Sequence, residues 1–241
     1  MLIPLKINSF LTSLLVTFPF IMFSSLSRIQ WETQGIRIYP QPEKVKKMHD
    51  IKDTSSPTLS FSNYIWHIKS GDATPGPNSW SAQNAYVDST GRLHLKISFN
   101  EKTQKWDCAE IWTTESFGFG TYELHIEGRL DQLDKNIVLG LFNYPASPQI
   151  PDGTNEIDIE FAKWGIATNK PGNFTVWPAQ LIAGYTNQSY PFEINQSSHK
   201  TIHRFTWNPT SIHFQSFKGE EILKDSLISL SLIHISEPTR H

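Results

Sequence analysis

The 241-residue sequence has a single cysteine, Cys108, and only 18% charged residues, with a formal net charge of −2. One cysteine cannot form an internal disulfide, and no group of Cys and His residues has the spacing of a structural zinc site. The small net charge argues against nucleic acid or a polybasic membrane patch as the main partner. A chain of this length can bury a substantial core, so we expect the core to supply the stability.

Helical periodicity is also lacking between residues 61 and 217. Apolar and polar residues instead alternate in short segments, which clusters of Pro, Gly, Asp and Asn separate. The clearest alternating segments are 93–97, 122–126, 205–207 and 212–214. Many short strands without intervening helices predict an all-β domain of two packed antiparallel sheets, a sandwich or jelly roll.

The N-terminus, residues 1–27, has the pattern of a secretory signal peptide. A short segment containing Lys6 precedes an apolar run over residues 10–23, and small and polar residues follow. This pattern predicts a secreted or periplasmic protein, with an uncleaved membrane anchor as the alternative. Residues 28–60 are rich in Lys, Pro, Ser and Asp and predict a polar leader or linker. We expect the folded domain to span residues 61–229.

Residues 230–240 resemble the translation of a sequencing adaptor, which predicts that residues 230–241 are not native. We therefore expect a non-native tail and a jelly roll that is truncated at its C-terminus. On local pattern alone, residues 230–235 are also acceptable as a short terminal strand that ends before Pro238.

The most informative segment is Glu156-Ile-Asp158-Ile-Glu160-Phe. In a strand, its three carboxylates point to one face and the apolar residues to the other. Carboxylates so arranged repel each other, so a merely solvated acidic stripe is the less favoured interpretation. Glycoside hydrolysis needs a carboxylate and a carboxylic acid beside the scissile bond. Two glutamates that lean toward each other, with an aspartate between them, fit that requirement.

This segment resembles the active-site strand of glycoside hydrolase family 16, the group of laminarinases, lichenases and xyloglucan transglycosylases. The resemblance extends over about residues 66–219 and includes the segments 117–123, 139–144 and 205–212. It implies a curved β-jelly roll of the concanavalin A-like kind, with the glycan on its concave face. Lys218 departs from the family pattern, and the usual Trp-Pro-Ala-Phe-Trp segment is absent, so the substrate stays open.

The resemblance also implies a role for each carboxylate: Glu156 as nucleophile, Glu160 as general acid/base and Asp158 as the assisting group. Sugar rings stack on aromatic side chains, which make up 12% of this chain. The candidate substrate-binding residues are Trp164, Trp112, Tyr144 and Trp177, with Asn78 at the rim of the groove. Trp112 and Trp177 could equally be core residues. No metal or cofactor is expected, because this chemistry needs none.

The sequence thus predicts a secreted, retaining endo-glycosidase that acts as a monomer on a β-linked polysaccharide. No nucleic acid and no membrane insertion after signal cleavage are expected. The alternative enzyme is a transglycosylase of the same family, in which an acceptor sugar replaces water. The alternative from another class is a non-catalytic glycan-binding jelly roll, but a binding module has no reason to keep three mutually repelling carboxylates.

Overall fold

A computed structural model describes the following residues: 10–17, 29–39, 56–75, 78–145, 156–177, 188–197 and 199–235. Its strands, in chain order, are β1 (Phe10–Thr17), β2 (Ile29–Tyr39), β3 (Thr58–Phe61), β4 (Tyr64–Ile68), β5 (Gly71–Asp72), β6 (Ser79–Trp80), β7 (Ala85–Val87), β8 (Leu93–Asn100), β9 (Lys105–Thr113), β10 (Gly120–Glu127), β11 (Val138–Pro145), β12 (Ile157–Ala162), β13 (Gly172–Val176), β14 (Ser189–Phe192), β15 (Lys200–Trp207), β16 (Ser211–Lys218) and β17 (Leu227–His234). Short 3-10 helices occur at Ala82–Asn84, Leu130–Gln132 and Lys224–Ser226. Within the described part of the chain, no helix is long and apolar enough to cross a membrane.

The strands form two largely antiparallel sheets. The front sheet has the strand order β3-β4-β9-β1-β11-β12-β13-β14. The back sheet has the order β7-β8-β2-β10-β15-β16-β17. The β8–β9 hairpin joins the sheets, and the short β6 pairs with β9 in parallel. This arrangement confirms the predicted all-β sandwich of the jelly-roll type.

The core lies between the sheets and is built by period-two alternation of their strands. Ile157 and Phe161 of β12 enter it from the front, and Tyr122 of β10 enters it from the back, each at most 1% exposed. Phe174 of the front sheet stacks on Phe214 of the back sheet at a ring distance of 4.9 Å. This packing fixes the register of β12, because a slip by one residue would turn its carboxylates into the core.

Two strands from the N-terminal part of the chain occupy central places in the sheets. β1 lies between β9 and β11, and β2 lies between β8 and β10. Residues 29–39 therefore form a strand inside the segment expected to be a polar leader. The alternation Ile36-Arg37-Ile38 is a short strand pattern within an otherwise polar stretch. Strand pairing does not test removal of a leader, so the signal peptide over 1–27 and the leader over 28–60 stay predictions.

The C-terminal strand β17 pairs with β16 at the edge of the back sheet. It buries Ser229 and Ile233 but leaves Leu230 and Leu232 at 47% and 55% exposure. A terminal strand, considered from the sequence as the alternative, is thus present and covers little apolar surface. The non-native origin of residues 230–241 stays a prediction, and residues 236–241 lie outside the described part of the chain.

Candidate active site

The three carboxyls of the informative segment share the outer face of β12. Ile157 and Ile159 are buried in the core, so Glu156, Asp158 and Glu160 point the opposite way. Glu156 directly precedes the strand, and its carbonyl oxygen accepts the backbone N–H of Trp177 at 2.9 Å, which extends the pairing of β12 with the chain after β13. The face predicted from period two is the face observed.

The strands on either side of β12 present small or neutral side chains to these carboxyls. On β11, Gly140 stands opposite Glu160 and Phe142 opposite Asp158. On β13, Asn173 stands opposite Glu160 and Thr175 opposite Asp158. We call the set Glu156, Asp158, Glu160, Gly140, Phe142, Asn173 and Thr175 the carboxyl face. Neither β11 nor β13 contains a lysine or arginine, so no cation on an adjacent strand neutralises the carboxyls.

Asp158 is the most buried of the three carboxyls, at 3% exposure. Its Oδ2 accepts a hydrogen bond from the indole Nε1–H of Trp177 at 2.6 Å. Burial raises the pKa of Asp158 well above its usual range, and the charges of Glu156 and Glu160 raise it further, while the indole bond opposes the shift. Asp158 therefore tends to hold a proton between the two glutamates.

Glu160 lies half-buried against the bare backbone of Gly140, where a β-carbon would stand 3.9 Å from its Cγ. Burial raises the pKa of Glu160 to about 7, and a hydrogen bond from Asn173 lowers it by less. A carboxyl with this pKa keeps its proton in mildly acidic water and can give it up near neutrality. Such a group can act both as a general acid and as a general base.

Asn173 is not among the site residues predicted from the sequence, although it lies directly beside Glu160. Its Nδ2 donates to Thr175 Oγ1 at 2.7 Å, and its Oδ1 accepts from Ser189 Oγ at 3.0 Å. These bonds connect β13 and β14 to the carboxyl face. Alternation in β13, where the polar Asn173 and Thr175 flank the buried Phe174, could have placed Asn173 on an outer face. The sequence does not show the register of β13 with β12, so it could not place Asn173 beside Glu160.

The four predicted aromatic residues lie on different elements of the front sheet and its turns. Tyr144 lies half-buried on β11, two residues after Phe142 and so on the same side of the sheet. Trp177 directly follows β13, is 36% exposed and contacts Asp158 as described above. Trp112 lies on β9, beyond β11 and β1, with its ring 5.3 Å from that of His67. Trp164 lies in the β12–β13 turn, 40% exposed and with a φ of 51°.

Asn78 is engaged within the protein. It is 8% exposed, its Nδ2 donates to the carbonyl of Pro75 at 2.5 Å, and its Oδ1 lies 3.6 Å from the Cys108 thiol. These contacts hold the loop before β6 against β9. A role for Asn78 at the rim of a glycan groove stays a prediction, as do sugar contacts of the four aromatic residues.

A second buried carboxyl, Glu110, lies on β9 two residues before Trp112. It forms an ion pair with Lys69 Nζ at 2.6 Å, and the same ammonium lies 4.3 Å from the Trp80 ring centre. Burial raises the pKa of Glu110 more than the Lys69 charge lowers it. In the described residues, no three His, Cys, Asp or Glu side chains are grouped so as to hold a metal ion.

A two-layer β fold that carries three carboxyls on the outer face of one strand fits the chemistry of a glycoside hydrolase. The model of the family "Glycosyl hydrolases family 16" matches residues 72–217, and the chain belongs to this family. It is similar to a β-glucanase of Paenibacillus macerans, with 30% identity over 107 residues, which are 44% of this chain and 43% of the relative. A β-glucanase of Paenibacillus polymyxa is 31% identical over 83 residues, 34% of this chain and 33% of the relative. The alignments thus span less than half the length of these relatives.

Proposed function

We propose that the protein is a secreted, endo-acting glycosidase that hydrolyses a β-linked polysaccharide with retention of configuration. The observation that carries this proposal is the carboxyl face itself. One strand holds three carboxyls together, one of them buried between the other two, and Glu160 has a pKa of about 7. Stability alone does not favour such an arrangement, because it concentrates like charges without a cation on the neighbouring strands.

In the first step, the Glu160 carboxyl donates its proton to the glycosidic oxygen. A carboxylate oxygen of Glu156 attacks the anomeric carbon, the bond to the leaving sugar breaks, and a glycosyl ester of Glu156 forms. The leaving chain departs with the proton that Glu160 supplied. Glu160 is now an anion and can serve as the base.

In the second step, Glu160 removes a proton from water, and the water oxygen attacks the anomeric carbon. The ester bond breaks and releases the Glu156 carboxylate, while the second inversion restores the β configuration. Asp158 remains between the glutamates throughout. A neutral Asp158 reduces the repulsion that would otherwise raise the cost of an anionic Glu156.

The substrate class is proposed from the two relatives, which are both β-glucanases. A β-glucan is also compatible with the composition of the carboxyl face, whose neighbours are neutral hydrogen-bonding or aromatic groups. Secretion is proposed from the N-terminal pattern, and Trp112, Tyr144, Trp164 and Trp177 are proposed as stacking surfaces.

Cleavage assays with matched variants test the proposal. The unmodified protein, Glu156→Gln, Glu160→Gln and the control Glu101→Gln are incubated with a panel of β-glucans, xyloglucan and galactan. Glu101 is exposed in the β8–β9 turn, so Glu101→Gln removes the same charge as the two site variants do, but away from the carboxyl face. We expect losses of at least about a thousandfold for the two site variants and none for the control. Cleavage that survives both site changes would contradict the assignment.

Azide distinguishes the roles of the two glutamates on an activated aryl β-glucoside. Azide can replace the missing nucleophile in Glu156→Ala, which yields the α-glycosyl azide. In Glu160→Ala it attacks the glycosyl ester instead, which yields the β-glycosyl azide. The opposite pairing of product and variant would exchange the roles of Glu156 and Glu160.

A further inference from the structure

Trp177 contacts two members of the carboxyl face at once. Its backbone N–H donates to the carbonyl of Glu156 at 2.9 Å, and its indole Nε1–H donates to Asp158 Oδ2 at 2.6 Å. The sequence predicts Trp177 to be either a sugar platform or a core residue. In the structure the polar edge of its ring is directed at a buried carboxyl, while 36% of the residue stays exposed.

We infer that Trp177 is a positioning residue of the active site, whose indole N–H orients the Asp158 carboxyl and stabilises negative charge among the three carboxyls. This inference rests on the proposed function and adds a residue to its machinery. Trp177 acts through Asp158 and needs no contact with the reacting atoms.

The chemistry of the indole determines which oxygen of Asp158 holds a proton. An indole N–H only donates, so Asp158 Oδ2 must accept in either protonation state. The proton of a neutral Asp158 is therefore better placed on Oδ1, the buried oxygen that the indole does not contact. Glu156 acts on Asp158 more strongly than Glu160 does. The indole thus leaves Oδ1 to carry the proton of Asp158, and a hydrogen bond with the Glu156 side chain raises the pKa of Asp158 further.

Among the described groups around Asp158, the indole of Trp177 is the one whose hydrogen bond stabilises the charged form of this carboxyl. Its own strand contributes the anions Glu156 and Glu160, and β11 contributes Phe142 and, at the end of the strand, the phenol of Tyr144. β13 contributes the neutral Asn173 and Thr175. Because the adjacent strands contain no cation, a neutral donor directed at Asp158 offsets part of the repulsion.

Loss of the indole N–H should change activity and its pH dependence together. The three carboxyls titrate as a coupled set, so removing a donor to one of them raises the pKa values at which the set releases protons. We expect Trp177→Phe to lower kcat about ten- to a hundredfold, because the indole bonds one member of a set of carboxyls that shares negative charge, with KM changed less than about threefold. We expect both limbs of the pH profile to move to higher pH. Trp106→Phe, on β9 and packed against Phe99, is the control and should leave both unchanged.

A double-mutant cycle separates positioning from sugar stacking. If Trp177 acts through Asp158, Trp177→Phe should have little further effect in the Asp158→Asn background. Independent losses that multiply in the double variant would overturn the inference. Replacing Trp177 with 3-benzothienylalanine, which keeps the ring shape and lacks the N–H, gives the same test if the Phe variant unfolds.

A titration that needs no substrate separates this inference from the proposed function. Protein labelled with ¹³C at the aspartate carboxyls is titrated by NMR, and Asp158→Asn assigns the Asp158 signal. A higher Asp158 pKa in Trp177→Phe supports the inference even if no glycan is cleaved, in which case only the proposed function fails. An unchanged Asp158 pKa overturns the inference even if the enzyme is active.

Discussion

Burial, more than any neighbouring charge, determines the protonation of Glu160. Its pKa of about 7 lies above the ordinary value of 4.5, so the folded protein binds this proton more tightly than the unfolded chain does. The stabilising contribution is therefore complete below about pH 4.5 and is lost as the pH rises through 7. In the proposed mechanism only the second step needs the anionic form of Glu160, which is the form that burial destabilises.

Glu160→Gln should remove the destabilising negative charge that the buried Glu160 carries at alkaline pH. We expect Tm to rise by about 3–6 °C at pH 8 and to change by less than about 1 °C at pH 5, because the parent is already protonated there. Differential scanning calorimetry at the two pH values measures both shifts. Equal shifts at both values, or a lower Tm at pH 8, would show that Glu160 is not destabilised by its charge.

The carboxyl positions were predictable from the sequence, whereas their partners were not. Alternation within one strand is local, so Glu156, Asp158 and Glu160 could be assigned to one face directly. Asn173 and Trp177 meet that face only through the register of β13 with β12 across an intervening turn. Nothing in their own sequence indicates that register.

At the scale of single elements, β13 and β14 are joined by a close approach at Gly172. A β-carbon there would stand closer than 3.0 Å to atoms of the Phe192 ring, which lies directly opposite. This position needs glycine because a side chain would collide with the Phe192 ring. Its backbone conformation is that of an ordinary strand and does not itself require glycine. The same contact supports Ser189 and Asn173 beside the carboxyl face.

Gly172→Ala should therefore lower the free energy of unfolding by about 1–3 kcal/mol. The matched control is Gly140→Ala on β11, where the nearest atoms would be 3.9 Å away and we expect a change within about 0.5 kcal/mol. Urea unfolding measures both variants. Phe192→Leu in the Gly172→Ala background should recover part of the loss, and equal costs at the two glycines would contradict the steric explanation.

Across the two sheets, β12 and β15 meet at a buried histidine. His203 lies 4.5 Å from the ring of Phe161, and its ring nitrogens bond the hydroxyls of Ser216 and Thr201 at 2.8 Å. Burial, with a smaller effect of the His125 charge, lowers the pKa of His203 to about 3. The unfolded chain therefore binds this proton more tightly, and stability is lost as the pH falls below about 6.5.

His203→Gln should lower stability at pH 7 by about 1–3 kcal/mol, because the two hydroxyls lose a well-placed partner. It should also flatten the fall in stability between pH 7 and 4.5, which urea unfolding at several pH values measures. His199→Gln removes an exposed histidine and is the control. A slope that is the same in His203→Gln and the parent would contradict a neutral His203 in the core.

At the scale of the whole molecule, the sandwich followed from the sequence, but the composition of its sheets did not. Alternating segments and turn residues predicted β8, β10, β15 and β16 without knowledge of their partners. The central places of β1 and β2 depend on long-range pairing, which local patterns do not encode. The exposed leucines of β17 likewise became visible only once its edge position was known.

The edge strand β17 should promote self-association, because Leu230 and Leu232 are exposed on a strand that pairs only with β16 in the described part of the chain. We expect Leu230→Lys with Leu232→Lys to reduce concentration-dependent association while Tm stays within about 2 °C. Light scattering coupled to size exclusion measures the first and calorimetry the second. Greater association in the lysine variant would exclude this edge as the cause.

The central claim is that the carboxyl face of β12 cleaves a β-linked glycan in two displacements. The most direct test is ¹H NMR of the reducing-end anomers during the first minutes of β-glucan hydrolysis by the purified full chain, before mutarotation. A double displacement predicts that the β-anomer appears first and the α-anomer follows only as mutarotation proceeds. Initial release of the α-anomer would contradict the account, because it requires a single displacement by water.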